Sequence, residues 1–241
     1  MASADWDQVA GGLGSGSLLQ GVTAGQTPPP GGGSFVYGFA SLDNAVGGAA
    51  LYANAANYGP MAMGGSVRGA LQRGPGVGIT GFSPFLFVCL QGVTSLGQVA
   101  YMLGLSDADP YQITLVKGLL SNGIPSVPVS SPPTQGVLAC STETFNPGVW
   151  LQLRLDAIVN ANGLGDTVLN CYMNDLTVGG ASVASPNWIP IPGIPQFIDD
   201  VLQINTGTPL LHSGYAGFGM VKTQATRRAL VDELEVFRQT A

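Results

Sequence analysis

Charge is what this sequence has least of. Only 9% of its 241 residues are Asp, Glu, Lys or Arg, against roughly 25% in ordinary soluble domains. Eight basic residues stand against 14 acidic ones, for a net charge of −6. No basic cluster is larger than Arg227 and Arg228, and residues 1–67 hold Asp5, Asp7 and Asp43 with no basic residue at all. A phosphate-tracking surface is missing, which argues against nucleic acid as a partner. There is one histidine, His212. No Gly-x-Ser-x-Gly elbow accompanies it, so a serine-hydrolase triad has no support and His212 reads as a surface or packing residue. The three cysteines, Cys89, Cys140 and Cys171, have no CxxC spacing, which argues against zinc. Their odd number offers no disulfide framework and fits a reducing cytoplasm, while pairing of Cys140 with Cys171 stays open. The longest apolar run, residues 85–90, is too short for membrane insertion. The opening residues have neither the basic start nor the apolar stretch of a secretory signal, so the expectation is a chain made in the cytoplasm and not exported.

What is abundant is glycine and proline, 36 and 17 residues, and between them lie short alternating segments. Residues 150–159 place Leu151, Leu153, Leu155, Ala157 and Val159 on one face of a strand, and Gln152, Arg154 and Asp156 on the other. A turn at residues 162–166 and a second strand from Thr167 to Met173 complete a β-hairpin with one dry face, which needs a second sheet to cover it. Strand signals recur at 35–39, 48–52, 65–73, 82–93, 98–105, 111–117, 135–141, 214–221 and 229–237. Residues 82–93 are almost wholly apolar, as in a buried central strand. Segments 121–136 and 184–196 are rich in proline and read as loops, and 197–203 as a short helix or strand. About ten to twelve strands, no helical period and no internal repeat define an all-β sandwich.

Residues 1–33 form a separate Gly/Pro-rich arm before a sandwich domain at 34–241. The arm is too poor in strand formers to fold alone, yet it carries Trp6, Leu13, Leu18 and Leu19. An uncharged, partly apolar arm is suited to docking on another subunit, with Trp6 as the plug. Little charge also leaves little to keep a monomer soluble, so homo-oligomerisation is expected.

Several segments together resemble the concanavalin A-like jelly roll of lectins, laminin G domains and glucanases. They are residues 101–105 followed by 111–117, Trp150 opening a strand, the strand near 168–173, residues 214–219, and a closing strand at 231–237 with an acidic pair among aliphatics. The resemblance spans residues 34–241 and implies a two-sheet antiparallel jelly roll. The arm, the low charge and the missing signal also resemble bacteriophage virion proteins, in style rather than motif.

The glucanase version of this fold implies a Glu-x-Asp-x-x-Glu motif, which is absent. Glu233 and Glu235 have the spacing that places two acids on one strand face, and alternation with Leu234 and Val236 explains them as a solvent face. Asp107 with Asp109, Asn174 with Asp175, and Asp199 with Asp200 could offer hard oxygens to calcium, but none has EF-hand spacing and such residues serve turns. No cofactor is implied. Trp188, in a proline-flanked loop, and Tyr215 are the candidate glycan or interface contacts. The leading expectation is a structural virion protein of a phage, a capsid decoration or tail component, not an enzyme, docking through its arm onto other virion proteins. The alternative is a lectin-type carbohydrate-binding module, and the two overlap if a virion protein grips host-surface glycan.

Overall fold

The computed structural model describes residues 6–8, 18–20, 27–33, 37–39, 47–53, 64–74, 82–91, 98–106, 110–121, 124–125, 136–159, 166–194, 196–199, 213–222 and 229–238. Among them are sixteen strands and no helix. They are β1 (Trp6–Gln8), β2 (Leu18–Gln20), β3 (Tyr37–Phe39), β4 (Gly47–Ala53), β5 (Gly64–Arg73), β6 (Phe85–Gln91), β7 (Gln98–Leu105) and β8 (Ile113–Ser121). Then follow β9 (Ile124–Pro125), β10 (Val137–Cys140), β11 (Trp150–Val159), β12 (Thr167–Asp175), β13 (Ile189–Pro190), β14 (Gln196–Asp199), β15 (Tyr215–Lys222) and β16 (Ala229–Arg238).

Two antiparallel sheets result. Sheet A runs β1-β4-β15-β6-β7-β8-β10, with β9 also on β8. Sheet B runs β13-β12-β11-β5-β16-β3-β2, with β14 also on β12. The expected hairpin is β11–β12, in register from Leu151 opposite Asp175 to Val159 opposite Thr167. Its turn lies outside the described residues. Period-two alternation sends Leu151, Leu153, Leu155 and Ala157 inward with Leu169, Cys171 and Met173 of β12 and Val67 and Leu71 of β5. Sheet A answers with Leu86, Val88, Leu103, Leu105, Ile113, Leu115 and Phe218. Each such side chain contributes about 1.5–3 kcal/mol on leaving water, so this interleaved layer is the main source of stability.

Sheet A is buried on its other face as well. Phe85, Phe87, Ala100, Met102 and Val116 form a second cluster with Phe82, and the Phe82 and Phe85 rings stack at 5.6 Å. That is why residues 82–90 are apolar without alternation. Phe85 lies across Gly219, where any side chain would collide with its ring.

One polar group crosses the interior. Lys117 on β8 lies opposite Tyr101 on β7, and Asp199 reaches them from β14 of the other sheet. Lys117 Nζ donates to Asp199 Oδ2 at 2.6 Å, and Tyr101 OH donates to the same oxygen. Lys117 and Asp199 are only 2% and 3% exposed. A lone buried charge is costly, and pairing offsets that cost.

The described parts of the arm lie on this chain's own sheets. β1, with Trp6, pairs with β4. β2, with Leu18 and Leu19, pairs with β3. Residues 27–33 run over the outer face of sheet B. Leu13 lies outside the described residues. The segment at 196–199 is a strand, and the proline-rich loop before it pairs with β12 at β13, where Pro190 sits at the edge of sheet B and no ladder donor is needed, and then buries Ile191 and Ile194 in the core.

Candidate functional site

The outer face of sheet B is the polar one, and strand register assembles it. Gln152, Arg154 and Asp156 of β11 share this face with Ser66, Arg68, Ala70 and Gln72 of β5, because residues opposite one another in a ladder point the same way. β12 adds Asn170, Tyr172 and Asn174, and β16 adds Asp232, Glu235 and Phe237.

The rows near Gln152 are covered. Asn174 Nδ2 donates to Gln152 Oε1 at 2.9 Å and to the Ser182 carbonyl at 3.1 Å, and Gln152 Nε2 donates to the Val183 carbonyl. Trp150, Ala70, Leu230, Leu176 and Val183 make a small apolar cluster here. Segment 27–33 lies over it: Trp150 Nε1 donates to the Thr27 carbonyl at 3.0 Å, Val183 N to the Pro30 carbonyl at 2.9 Å, and Gly33 N to Glu233 Oε1 at 3.1 Å.

The next two rows are partly open: their ends and Arg154 meet solvent, whereas Asp156 and Ser66 at the centre are buried. One reads Pro190, Tyr172, Arg154, Arg68, Glu235 across five strands. The other reads Gln196, Asn170, Asp156, Ser66, Phe237. With strands about 4.8 Å apart, each row spans about 19 Å. Arg68 Nη2 donates to both carboxylate oxygens of Glu235 at 2.8 Å. Arg154 Nε donates to Asp156 Oδ1 at 2.8 Å. The Arg68 guanidinium stands 5.1 Å from the Phe237 ring centre and that of Arg154 5.6 Å from the Tyr172 ring centre. Gln196 Nε2 donates to Asn170 Oδ1 at 3.0 Å. Arg154 is 38% exposed, Glu235 44% and Phe237 41%, so solvent reaches donors, acceptors and ring together.

Arg68 and Arg154 lie directly opposite each other. Like charges in that position are destabilising by a fraction of a kcal/mol to about 1 kcal/mol. In a chain with so little charge, a pair of neighbouring arginines is a feature to explain. Each guanidinium keeps unused N–H donors, and each flanking carboxylate keeps acceptor sites. The four charges sum to zero, so the rows offer alternating donors and acceptors rather than a field of one sign.

A second recess, of about 490 Å³, opens at one end of the sandwich between residues 142–146 and the end of β12. Thr144, Asn146 and Asp175 line it around Phe145. Phe145 stacks on Tyr111 at 6.0 Å, whose hydroxyl is pushed upward in pKa by burial and by Asp175, against a lowering by Arg73.

The two sugar-contact candidates are not brought together. Trp188 is half-buried, two residues before Pro190, and so flanks the open rows of sheet B. Tyr215 is on sheet A and packs against its second apolar cluster. Glu233 and Glu235 do not form the alternating face expected of them. A bulge lies between Asp232 and Glu235, Glu233 takes a left-handed φ of 49° and bonds Gly33, and Glu235 pairs with Arg68. The described acids weighed for calcium are committed within the protein: Asp199 to Lys117 and Tyr101, Asp175 to Thr177 N and Oγ1, Asn174 to Gln152 and Ser182. No cluster of three potential ligands occurs among the described residues, and calcium does not fit them. Asp107, Asp109, Asp200 and His212 lie outside the described residues. All three thiols are free, and burial pushes Cys89 up to about 12, far from a reactive thiolate.

No protein-family model matches the sequence, and no curated protein matches it. Solved structures do match. The exoplasmic/lumenal domain of VIP36, in a Ca2+/Man3GlcNAc-bound form, superposes with a TM-score of 0.52 at 13% identity, covering 98% of this chain and 84% of that one. A Ca2+/Man2-bound form of the same domain gives 0.50 at 10% identity, covering 100% and 85%. The carbohydrate recognition domain of Emp47p gives 0.45 at 8% identity, covering 99% and 90%. The chain therefore has the lectin-like, concanavalin A-type jelly-roll fold.

Proposed function

We propose that the chain is a lectin-type carbohydrate-binding module whose ligand lies along the two open rows of sheet B. The observation that carries this is the facing pair Arg68 and Arg154, each held by a carboxylate and set against an aromatic ring on a solvent-reached face. Sugar hydroxyls both donate and accept, as any hydroxyl does, and their C–H faces pack on rings. A zero-sum row of spaced donors and acceptors beside Tyr172 and Phe237 matches that chemistry, while it has no surplus charge to attract a polyanion. The VIP36 domain, with its bound mannose-containing glycans, lends the ligand class but not the site.

Binding without catalysis is the form we favour. Glycoside hydrolysis needs an acid and a carboxylate free to act across the scissile bond, and Asp156 and Glu235 are each tied to an arginine. A virion role has low charge as its support and no contact in the fold that calls for it. The described arm segments are paired into this chain's own sheets.

Titration against a broad panel of neutral and acidic oligosaccharides tests the proposal. At least one class should bind, and Arg154→Ala should weaken it about ten- to hundredfold while the fold persists, since hydrogen bonds to charged groups are worth about 1.5–3 kcal/mol. Trp188→Ala should weaken it less. No binding across the panel would overturn the proposal.

A further inference from the structure

The covered and open rows of sheet B differ in what lies over them, and the cover is built to respond to protons. Segment 27–33 is a strap of one threonine, three prolines and three glycines. Its described attachments come from three separate elements: the Trp150 indole of β11, the Val183 amide of the 176–188 loop, and the Glu233 carboxylate of β16. Pro29 is buried, and Gly31 rests so close to Ser182 that a Cβ there would lie 2.7 Å from Ser182 Cβ.

The strap's last contact is made at the bulge of β16. There Glu233 holds the left-handed φ that L-residues other than glycine, Asn and Asp rarely adopt, and its side chain is thereby free of the ladder and available to Gly33. Its neighbour Asp232 stands opposite Ala70, on the covered face. Asp232 is 5% exposed, and its Oδ2 has no hydrogen-bond partner. A buried carboxylate oxygen without a donor is unfavourable when ionised and much less so as a neutral acid. The strap ends beside it, where Gly33 is bound to the adjacent Glu233.

We propose that the strap is a proton-responsive cover over the upper rows of sheet B, closed over a neutral Asp232 and released when Asp232 ionises. Among the described residues, the groups around it leave Asp232 as the one that decides. The strap carries no charge, nor does loop 176–183, and β11 presents neutral Gln152 on this face. From β5 the nearest charge is Arg68, one row away and bound to Glu235 on β16. Among the described residues Glu233 is the adjacent ionisable group, and its charge opposes that of Asp232.

Burial raises the Asp232 pKa from 3.8 to about 6, with the Glu233 backbone amide opposing the rise and the Glu233 charge adding to it. An acid whose pKa is raised in the closed state favours closure at low pH. That advantage is complete below the ordinary carboxylate range and is lost as pH rises through about 6. The difference, 6 minus 3.8, is about two units, so closure should weaken by up to about a hundredfold over that window. Release would add the rows of Gln152 and Trp150 to the open face. This link to sugar binding rests on the function proposed above, whereas the cover itself does not.

Hydrogen exchange of the Gly33, Gly32 and Val183 amides, measured without sugar from about pH 4 to about pH 7 and corrected for intrinsic rates, tests the cover directly. In the wild type, protection of Gly33 and Val183 should fall steeply as pH rises toward 6. In Asp232→Asn it should be flat. Glu233→Gln, which weakens the Gly33 contact and leaves Asp232 in place, should lower protection at every pH and keep the slope. A flat wild-type profile, an unchanged slope in Asp232→Asn, or loss of the slope in Glu233→Gln would overturn the proposal, whatever the sugar panel shows.

Discussion

The two sheets bury their inner faces alike and differ completely on their outer ones. Outside sheet A lie Phe82, Phe85, Phe87, Met102 and Val116, all buried. Outside sheet B lie Arg68, Arg154, Glu235, Asp156 and Asn170, with Tyr172 and Phe237 between them. In sheet A the second face is a second core, so both faces serve stability. In sheet B the second face serves stability only where the strap and loop 176–188 cover it, and the remainder is left for recognition. The chain holds few charges, and several of those that can be described are gathered there. Low overall charge therefore need not mean a surface hidden in an assembly, since it also follows from one sheet buried on both sides and turns made of glycine, proline and serine.

If the outer face of sheet A is a true core, truncation there should cost as much as truncation between the sheets. Phe87→Ala should destabilise by about 3–5 kcal/mol, read as a lowered urea midpoint at unchanged slope. The same change at Phe237, on the open face of sheet B, should cost far less, because that ring is 41% exposed. Equal costs at the two positions would erase the contrast between the sheets.

Buried and open ion pairs sharpen it further. Lys117 with Asp199 and Arg68 with Glu235 are the same chemistry at nearly the same distance, 2.6 and 2.8 Å. Lys117→Met leaves a buried carboxylate without its cation, held by the Tyr101 hydroxyl, and should cost about 3–5 kcal/mol, whereas Lys117→Met with Asp199→Leu should recover much of that loss. Arg68→Met removes an exposed pair, which is worth about 0.2–1 kcal/mol. Thermal unfolding of the three variants at one pH is sufficient to rank them.

The strands were legible because alternation is a local property. β7 runs over residues 98–105, as its run of strand formers indicates, and β11 over 150–159, as its period-two pattern indicates. The open rows were not legible, because each depends on register between strands far apart in the chain. Arg68 and Arg154 each read as an ordinary polar position, and only the β5–β11 pairing makes them neighbours. Their shared polar parity was the available signal, but it identifies a face and not a partner. The β16 bulge was hidden for the opposite reason. Glu233-Leu234-Glu235 looks like regular alternation, and one extra residue in the ladder sends the two acids to different partners. The strap was masked by composition: a Pro/Gly run reads as loose chain, while its carbonyls and one amide are fixed by Trp150, Val183 and Glu233 in trans to it.

A small expected effect is the most discriminating. Arg154→Gln removes one of two like charges that face each other across the ladder, which should stabilise by a few tenths of a kcal/mol to about 1 kcal/mol. It also removes the charged partner of Asp156, whose side chain is only 10% exposed, which should cost about 1–3 kcal/mol. The two terms oppose, so the net loss should stay within about 2 kcal/mol. A residue retained for the fold could not be replaced so cheaply, whereas a residue retained for a ligand could. A stability loss within that range together with lost sugar binding would therefore place Arg154 in recognition. A fall of several kcal/mol would make it part of the scaffold, and the open rows of sheet B would then be a polar surface held by its own salt bridges.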